Sequence, residues 1–197
     1  MYKQIDNYQH TPEGRLYNNM MSRARLGNSE ANTKNYKTYK GVIVSENFKD
    51  FQFFANWCNN QVGFNLIDEC GRKFCLDKDL LVYNNKEYNE NCCVFIPSEI
   101  NTFLSKGGNQ NKDNGLPIGI SYREDRGYTV YVRIPWKKKQ KRCGPYVKLE
   151  RAVTKYIELK KQVATILADK WKDKIDKRAY DTLINFDLKE RGYLLHI

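Results

Sequence analysis

Long apolar runs are missing from this sequence. No stretch approaches the roughly 20 consecutive apolar residues that a membrane-spanning helix needs. The first ten residues, MYKQIDNYQH, also lack the apolar core of a secretory signal. We therefore expect a cytoplasmic protein with no membrane partner.

Histidine is scarce as well, and the cysteines follow no known site spacing. His10 lies in a polar N-terminal arm and His196 is next to the last residue, so neither position favours a rigidly held general base. The six cysteines form neither the spacing of a secreted disulfide framework nor a CxxC pair. The nearest approach to a zinc set is Cys58, Cys70, Cys75 and Cys92. We expect free thiols and no zinc.

Acidic residues are too few to balance the basic ones, and the imbalance is confined to one half of the chain. The formal net charge is +11, from 34 lysines and arginines against 23 acidic residues. Residues 106–197 carry 22 basic and 11 acidic residues, whereas residues 1–105 carry 12 of each. Clustered positive charge favours a polyanionic partner, most often a nucleic acid.

One polar segment divides the 197 residues into two parts. Residues 106–115 are rich in glycine, asparagine and lysine and contain no apolar residue. This composition is typical of a linker. We predict an N-terminal domain over residues 1–105 and a C-terminal domain over residues 116–197. Because helical and strand patterns occupy separate stretches in both parts, the predicted fold class is α+β.

The C-terminal part shows the pattern of a small sheet followed by a helix. In residues 128–134 apolar and polar side chains alternate, which is the period of a half-buried strand. Residues 116–120 and 142–147 predict strands on either side. Apolar residues at spacings of three and four predict a helix over residues 149–171. This stripe comprises Leu149, Ala152, Val153, Tyr156, Leu159, Val163, Ile166, Leu167 and Trp171. We expect a three-stranded antiparallel sheet packed on this long helix.

The N-terminal part centres on residues 74–104, which predict two strands, a turn at Asn84-Asn85 and a helix that begins near Pro97. An aromatic-rich helix over residues 48–58 precedes this stretch, and we predict that its rings are packing groups for the small unit that follows. Three polar residues punctuate the stretch: Asp77, Asn91 and Asn101. In a compact ββα unit they would converge on one phosphate and one divalent ion. The plainer alternative is an ordinary hairpin and helix with solvated turns.

The segments Leu76-Asp77-Lys78-Asp79, Asn91-Cys92 and Glu99-Ile100-Asn101 resemble, in order and approximate spacing, the phage HNH homing endonucleases. The resemblance implies a ββα-metal fold in which Asp77 and Asn101 hold one Mg²⁺ or Mn²⁺ ion and Asn91 orients the catalytic site. Lys78 stands where the family has its general-base histidine. Lysine titrates about 4 pH units above histidine, and the flanking carboxylates favour its charged form, so Lys78 suits a phosphate contact better than a base.

The C-terminal pattern, from Pro117 and Gly119 through Gly127-Tyr128 to Gly144 and Ala152, is similar to the APETALA-type DNA-binding domain that phage HNH endonucleases often carry. In that family the sheet lies in the major groove of duplex DNA. The resemblance implies base and backbone contacts by Arg123, Arg126, Tyr131, Arg133, Trp136, Lys137, Lys138, Lys139, Lys141 and Arg142. Physical considerations independent of the resemblance favour the same contacts, because a β-ribbon fits the major groove and lysines neutralise phosphates.

Three functions remain open from the sequence. The first is a phage-type, HNH-like protein that binds double-stranded DNA and nicks one strand with a metal ion. The second is a relative without catalysis that regulates or inhibits by occupying DNA or another protein, which the lysine at position 78 favours. The third is an RNA-binding module, which the basic, tyrosine-rich hairpin allows although the usual signature motifs are absent.

Overall fold

The computed structural model describes residues 8–29, 37–105, 115–137 and 139–194. The chain forms two compact units, one of Met1–Pro97 with Lys174–Asp176 and the other of Ser98–Asp173 with Lys177–Ile197. Both units mix helices with small sheets, so the predicted α+β class is confirmed. The linker over residues 106–115 stays a prediction, because residues 106–114 lie outside the described part of the chain.

In the described residues, the first unit has three α-helices and four short strands. The helices are α1 (Pro12–Gly27), α2 (Glu46–Lys49) and α3 (Phe51–Asn59), and the strands are β1 (Ile43–Val44), β2 (Cys75–Asp77), β3 (Glu87–Tyr88) and β4 (Val94–Ile96). Strand β1 pairs with β3 in parallel, and β2 pairs with β4 antiparallel. The hairpin predicted across Asn84-Asn85 is therefore wrong. The dipeptide does turn the chain, with Asn84 at φ 56°, but the strand that follows pairs with β1.

Side-chain caps set where the helices of this unit begin. Thr11, Ser45 and Asp50 each accept backbone N–H groups from the first turn of α1, α2 and α3, at 2.8–3.3 Å. These are the residue types that satisfy the N–H groups left without partners at a helix start. Asp50 is extended and caps α3, so the single helix predicted over residues 48–58 is divided in two.

Aromatic side chains form the core of the first unit. The ring of Phe48 lies 4.8 Å from that of Trp57 and 5.1 Å from that of Phe54, measured between centroids. Trp57 in turn lies 5.9 Å from Phe95 of β4. Such contacts add to the free energy gained by burying the rings. The prediction that the aromatic helix supplies packing groups is confirmed for these residues.

The described part of the second unit contains a three-stranded sheet and three α-helices. Its elements are α4 (Ser98–Leu104), β5 (Ile120–Arg123), β6 (Gly127–Ile134), β7 (Lys139–Tyr146), α5 (Leu149–Trp171) and α6 (Lys177–Ile184). The strands are antiparallel in the order β5-β6-β7. Val130 and Val132 of β6 are buried on the face of the sheet that packs against α5. Strand β7 is an edge strand, and most of its residues are exposed.

Helix α5 is buried along a line that differs from the predicted stripe in two places. Ile166 was expected in the core but is 48% exposed, whereas Lys160 is 7% exposed. Lys160 continues the line of Tyr156, Val163 and Leu167 at spacings of three and four. Its Nζ donates to the carbonyl oxygen of Phe103 at 3.1 Å and lies 3.8, 4.6 and 5.9 Å from the ring centroids of Phe103, Tyr193 and Phe186. A charge pattern alone does not reveal a lysine that aromatic rings enclose.

Candidate nucleic-acid interface

Asp77 ends β2 and holds the turn that follows it. Its Oδ1 accepts the backbone N–H groups of Leu80 at 2.6 Å and Asp79 at 3.0 Å. Burial raises the pKa of this carboxyl group, while the two N–H groups act in the opposite direction by stabilising the carboxylate. Within the described residues, the other oxygen, Oδ2, accepts no hydrogen bond from the protein.

The side chain of Lys78 points into the first unit and is only 6% exposed. Its Nζ donates to both carboxylate oxygens of Asp79 at 2.8 Å and to the carbonyl oxygen of Asn85 at 2.5 Å. The ammonium group also lies 5.9 Å from the centroid of the Tyr88 ring. An ammonium group has three protons to donate, and the Asp79 carboxylate and the Asn85 carbonyl oxygen accept them. Contacts within its own turn are therefore enough to account for a buried lysine at this position. Its predicted catalytic or phosphate-binding role stays a prediction.

Asn85 is a residue whose importance the sequence analysis missed. Its Nδ2 donates to the carbonyl oxygens of Glu87 at 2.6 Å and Lys78 at 3.0 Å, and lies 2.9 Å from the Sγ of Cys92. A hydrogen bond from the Cys93 thiol, helped by Asn85, lowers the pKa of Cys92 to about 6. The sequence signal for this residue was the Asn84-Asn85 dipeptide, which predicts a turn. It does not show that the carboxamide of Asn85 forms hydrogen bonds with residues on both sides of that turn.

The two other residues of the HNH-like pattern are exposed. Asn91 precedes β4, and its backbone N–H donates to Oδ1 of Asn89 at 3.0 Å. Asn101 lies on the exposed side of α4, in the second unit. Its neighbour Glu99 is buried, and accepts hydrogen bonds from Trp171 Nε1 at 3.0 Å and from Lys170 Nζ at 2.9 Å, both within that unit. Convergence of Asp77, Asn91 and Asn101 stays a prediction.

Oxygen ligands of the kind that Asp77 and Asn101 supply suit a hard cation such as Mg²⁺ or Mn²⁺. The described part of the chain holds no group of three or more His, Cys, Asp or Glu side chains able to bind a metal ion. Mg²⁺ commonly binds proteins through one or two carboxylates and takes its remaining ligands from water and phosphate. The free Oδ2 of Asp77 fits a ligand set of this kind.

On the outer face of the second unit's sheet, opposite α5, strands β6 and β7 present two cross-strand pairs of polar side chains. Tyr131 lies directly opposite Arg142, and Arg133 lies directly opposite Gln140. Side chains alternate along a strand, so these residues project away from the buried Val132. Arg133, Gln140 and Arg142 are exposed. We call this set of four the outer-face patch. It contains three of the ten predicted DNA contacts.

Arg123 and Arg126, two more of these ten, share one carboxylate at the turn between β5 and β6. Arg123 donates to Asp125 through Nε at 3.0 Å and through a second guanidinium nitrogen at 3.2 Å. Arg126 Nε donates to the same carboxylate at 3.2 Å. Exposed ion pairs are worth about 0–1 kcal/mol, so a phosphate would compete with Asp125 for either guanidinium group at little cost.

The remaining predicted contacts lie around the start of the edge strand. Trp136 and Lys137 fall in a short 3-10 helix, Pro135–Lys137, and Trp136 is half-buried. Lys138 lies outside the described residues. Lys139 and Lys141 are exposed on β7, opposite Ile134 and Val132. They therefore belong by register to the α5 side of the sheet, at its open edge.

Comparisons with known proteins find no relative of this chain. No protein-family model, no curated protein and no solved structure matches the chain. Among the described residues, no helix is both long enough and apolar enough to span a bilayer.

Proposed function

We propose that this chain is a phage-type, HNH-like protein that binds double-stranded DNA through the outer face of its C-terminal sheet. The observation that carries the proposal is the outer-face patch, in which Arg133 lies opposite Gln140 and Tyr131 lies opposite Arg142. The DNA major groove admits a small β-ribbon, an arginine pairs bidentately with guanine, and a glutamine pairs with adenine. The patch thus presents the groups that read base edges, on strands that position them.

The charge of the C-terminal half supports the same function. Lys139 and Lys141 extend along the exposed edge strand beside the patch. Lysines at such an edge would contact the phosphates that flank the groove and release their counterions. Binding should therefore weaken steeply as the salt concentration rises.

Fluorescence anisotropy with a labelled random-sequence duplex, measured at several salt concentrations, tests this function. Replacing Arg133 and Arg142 by glutamine should weaken duplex binding at least tenfold, because each arginine contact is worth about 1–3 kcal/mol. The matched control replaces Lys161 and Lys172, two exposed lysines of α5 and its C-terminal end, by glutamine. Equal losses in the two double variants would show that total charge, not the outer-face patch, determines binding.

A second candidate function is metal-dependent nicking of the bound DNA, and the uncommitted Oδ2 of Asp77 favours it. Asp77 would hold the ion, whose chemistry is to stabilise negative charge on the leaving oxygen. The HNH-like sequence pattern occurs once in the chain, so cleavage of one strand is expected. The buried contacts of Lys78 favour the opposite alternative, in which a relative without catalysis acts by occupying DNA or a protein partner.

Nicking of a supercoiled plasmid that carries the natural target, in Mg²⁺ or Mn²⁺, separates these alternatives. Asp77→Asn keeps an oxygen that can hold the turn but removes the carboxylate charge, so it tests the metal ligand without removing the cap. Metal-dependent nicking that Asp77→Asn abolishes supports the nuclease. Tight duplex binding without nicking in the parent supports the inactive relative.

A further inference from the structure

Three tyrosines lie side by side across the sheet of the second unit. Tyr122 of β5 is directly opposite Tyr128 of β6, which is directly opposite Tyr146 of β7. The ring centroids of Tyr122 and Tyr128 are 4.7 Å apart at an interplanar angle of 44°. Neighbouring strands are about 4.8 Å apart, so this tyrosine row is about 10 Å wide.

The tyrosine row lies on the face of the sheet opposite to the outer-face patch. Tyr122 and Tyr128 are each two residues from Ile120 and Val130, which are paired with each other and buried on the α5 side. Residues two apart in a strand share a face. The row therefore continues the covered face of the sheet to its end near the start of α5, and it is separate from the outer-face patch.

The tyrosines of this row are too exposed to serve only as core packing groups. Tyr122 is 50% exposed, and Tyr128 and Tyr146 are half-buried. Val147, which follows the row, is 92% exposed. The ring of Tyr146 lies along Gly144, where an added Cβ would come within 3.2 Å of it, so the glycine leaves room for the ring. The contacting rings of Tyr122 and Tyr128 already form part of a stacking surface before any ligand binds.

Basic residues follow the row along the chain. Lys148 and Arg151 come soon after Tyr146 and make no ion pair within the described residues. Lys155 lies close enough to Tyr146 to interact with it electrostatically, although its ammonium also pairs with Glu158 at 2.9 Å. The surface thus combines exposed rings with cations able to contact a phosphate.

We propose that the tyrosine row is a stacking site for unpaired bases of a single-stranded nucleic acid. Duplex DNA hides the faces of its bases, whereas a single strand exposes them, and stacking on aromatic side chains is how most single-strand-binding surfaces hold them. The chemistry is shared by single-stranded DNA and RNA. This inference depends only on the row and its charges, and it does not require the outer-face patch to bind duplex DNA.

Anisotropy of labelled oligothymidylate, oligouridylate and a duplex of the same length, with the full chain, tests the inference. Tyr122→Leu with Tyr128→Leu should weaken binding to the single strands at least tenfold and leave duplex binding within about twofold, given the usual contribution of a stacked base. Tyr122→Phe with Tyr128→Phe keeps the rings and should bind the single strands as the parent does. The Arg133→Gln and Arg142→Gln pair should show the reverse selectivity.

The outcomes separate this inference from the proposed function. Failure of the arginine pair to affect duplex binding would overturn the duplex proposal and leave the stacking site supported by the leucine pair. If the leucine pair binds single strands as tightly as the parent, or loses single strand and duplex equally, the stacking site is refuted. Tyr122→Leu alone, at the most exposed position of the row, should lose a smaller part of single-strand affinity at an unchanged melting temperature. Preference between the two oligonucleotides shows whether DNA or RNA is the better ligand.

Discussion

Replacing Lys160 by methionine tests the packing of the second unit most directly. The ammonium group is buried on α5 with one hydrogen bond, to the carbonyl oxygen of Phe103, and aromatic rings on its other sides. Burial lowers the pKa of Lys160 from 10.5 to about 7. Methionine has a similar length and no charge, so Lys160→Met should fill the same space without the cost of desolvation.

The magnitude and its pH dependence follow from the pKa shift of Lys160. A shift from 10.5 to about 7 corresponds to about 5 kcal/mol, since each unit is worth about 1.4 kcal/mol. Between these pH values the unfolded chain binds a proton that the folded chain does not, so the free energy of unfolding rises with pH in this window. From pH 6 to pH 9 the parent should gain about 2–3 kcal/mol from this group alone.

Urea unfolding of parent and variant at pH 6 and pH 9, followed by tryptophan fluorescence under reducing conditions, measures the effect. Lys160→Met should be the more stable protein at pH 6, and its advantage should shrink by about 2–3 kcal/mol at pH 9. Taking the difference at each pH cancels other titrating groups, including the Cys92 thiol. Lys172→Met, at the exposed end of α5, is the control and should show no such change. A difference that does not vary with pH would refute the reasoning.

Substitutions at two further residues test buried polar contacts. Glu99→Gln should lower the free energy of unfolding by about 1–3 kcal/mol, because it removes the negative charge that Lys170 and Trp171 face. A thermal melt beside the exposed control Glu158→Gln measures the loss. Equal melting temperatures in the two variants would contradict this prediction. Asp77→Ala should lower the free energy of unfolding by about 1–2 kcal/mol through loss of the hydrogen bonds from Leu80 and Asp79. Asp77→Asn should lower it less, because the amide oxygen can still accept these bonds. Equal losses of stability in chemical denaturation would show that the charge, not the cap, stabilises the turn.

The second unit was the more predictable from sequence, because its elements have long periodic patterns. The alternation around Val130 and the stripe from Leu149 to Trp171 gave the central strand and the helix with nearly the observed limits. The flanking strands, predicted over residues 116–120 and 142–147, were misplaced and are Ile120–Arg123 and Lys139–Tyr146. Local periodicity does not report what covers a given position. The stripe therefore assigned Ile166 to the core and omitted Lys160, whose burial depends on Phe103, more than 50 residues earlier in the chain.

The first unit was less predictable because its strands are only two or three residues long. A run of two residues has no measurable period, and the parallel pairing of Ile43 with Glu87 joins residues far apart in sequence. The candidate site shows the same limit. The sequence pattern singles out Asp77 and Lys78, but it does not show the turn on which their hydrogen bonds with Leu80 and Asn85 depend.

Helix α4 has a practical consequence for dissecting this chain by expression of fragments. A fragment that starts at residue 116 would leave out Phe103 and Glu99, so the enclosed ammonium of Lys160 and the indole of Trp171 would each lose the oxygen they donate to. Such a product would be prone to aggregate during purification. A fragment that starts at Ser98 retains both oxygens and is the better choice for producing the basic half on its own.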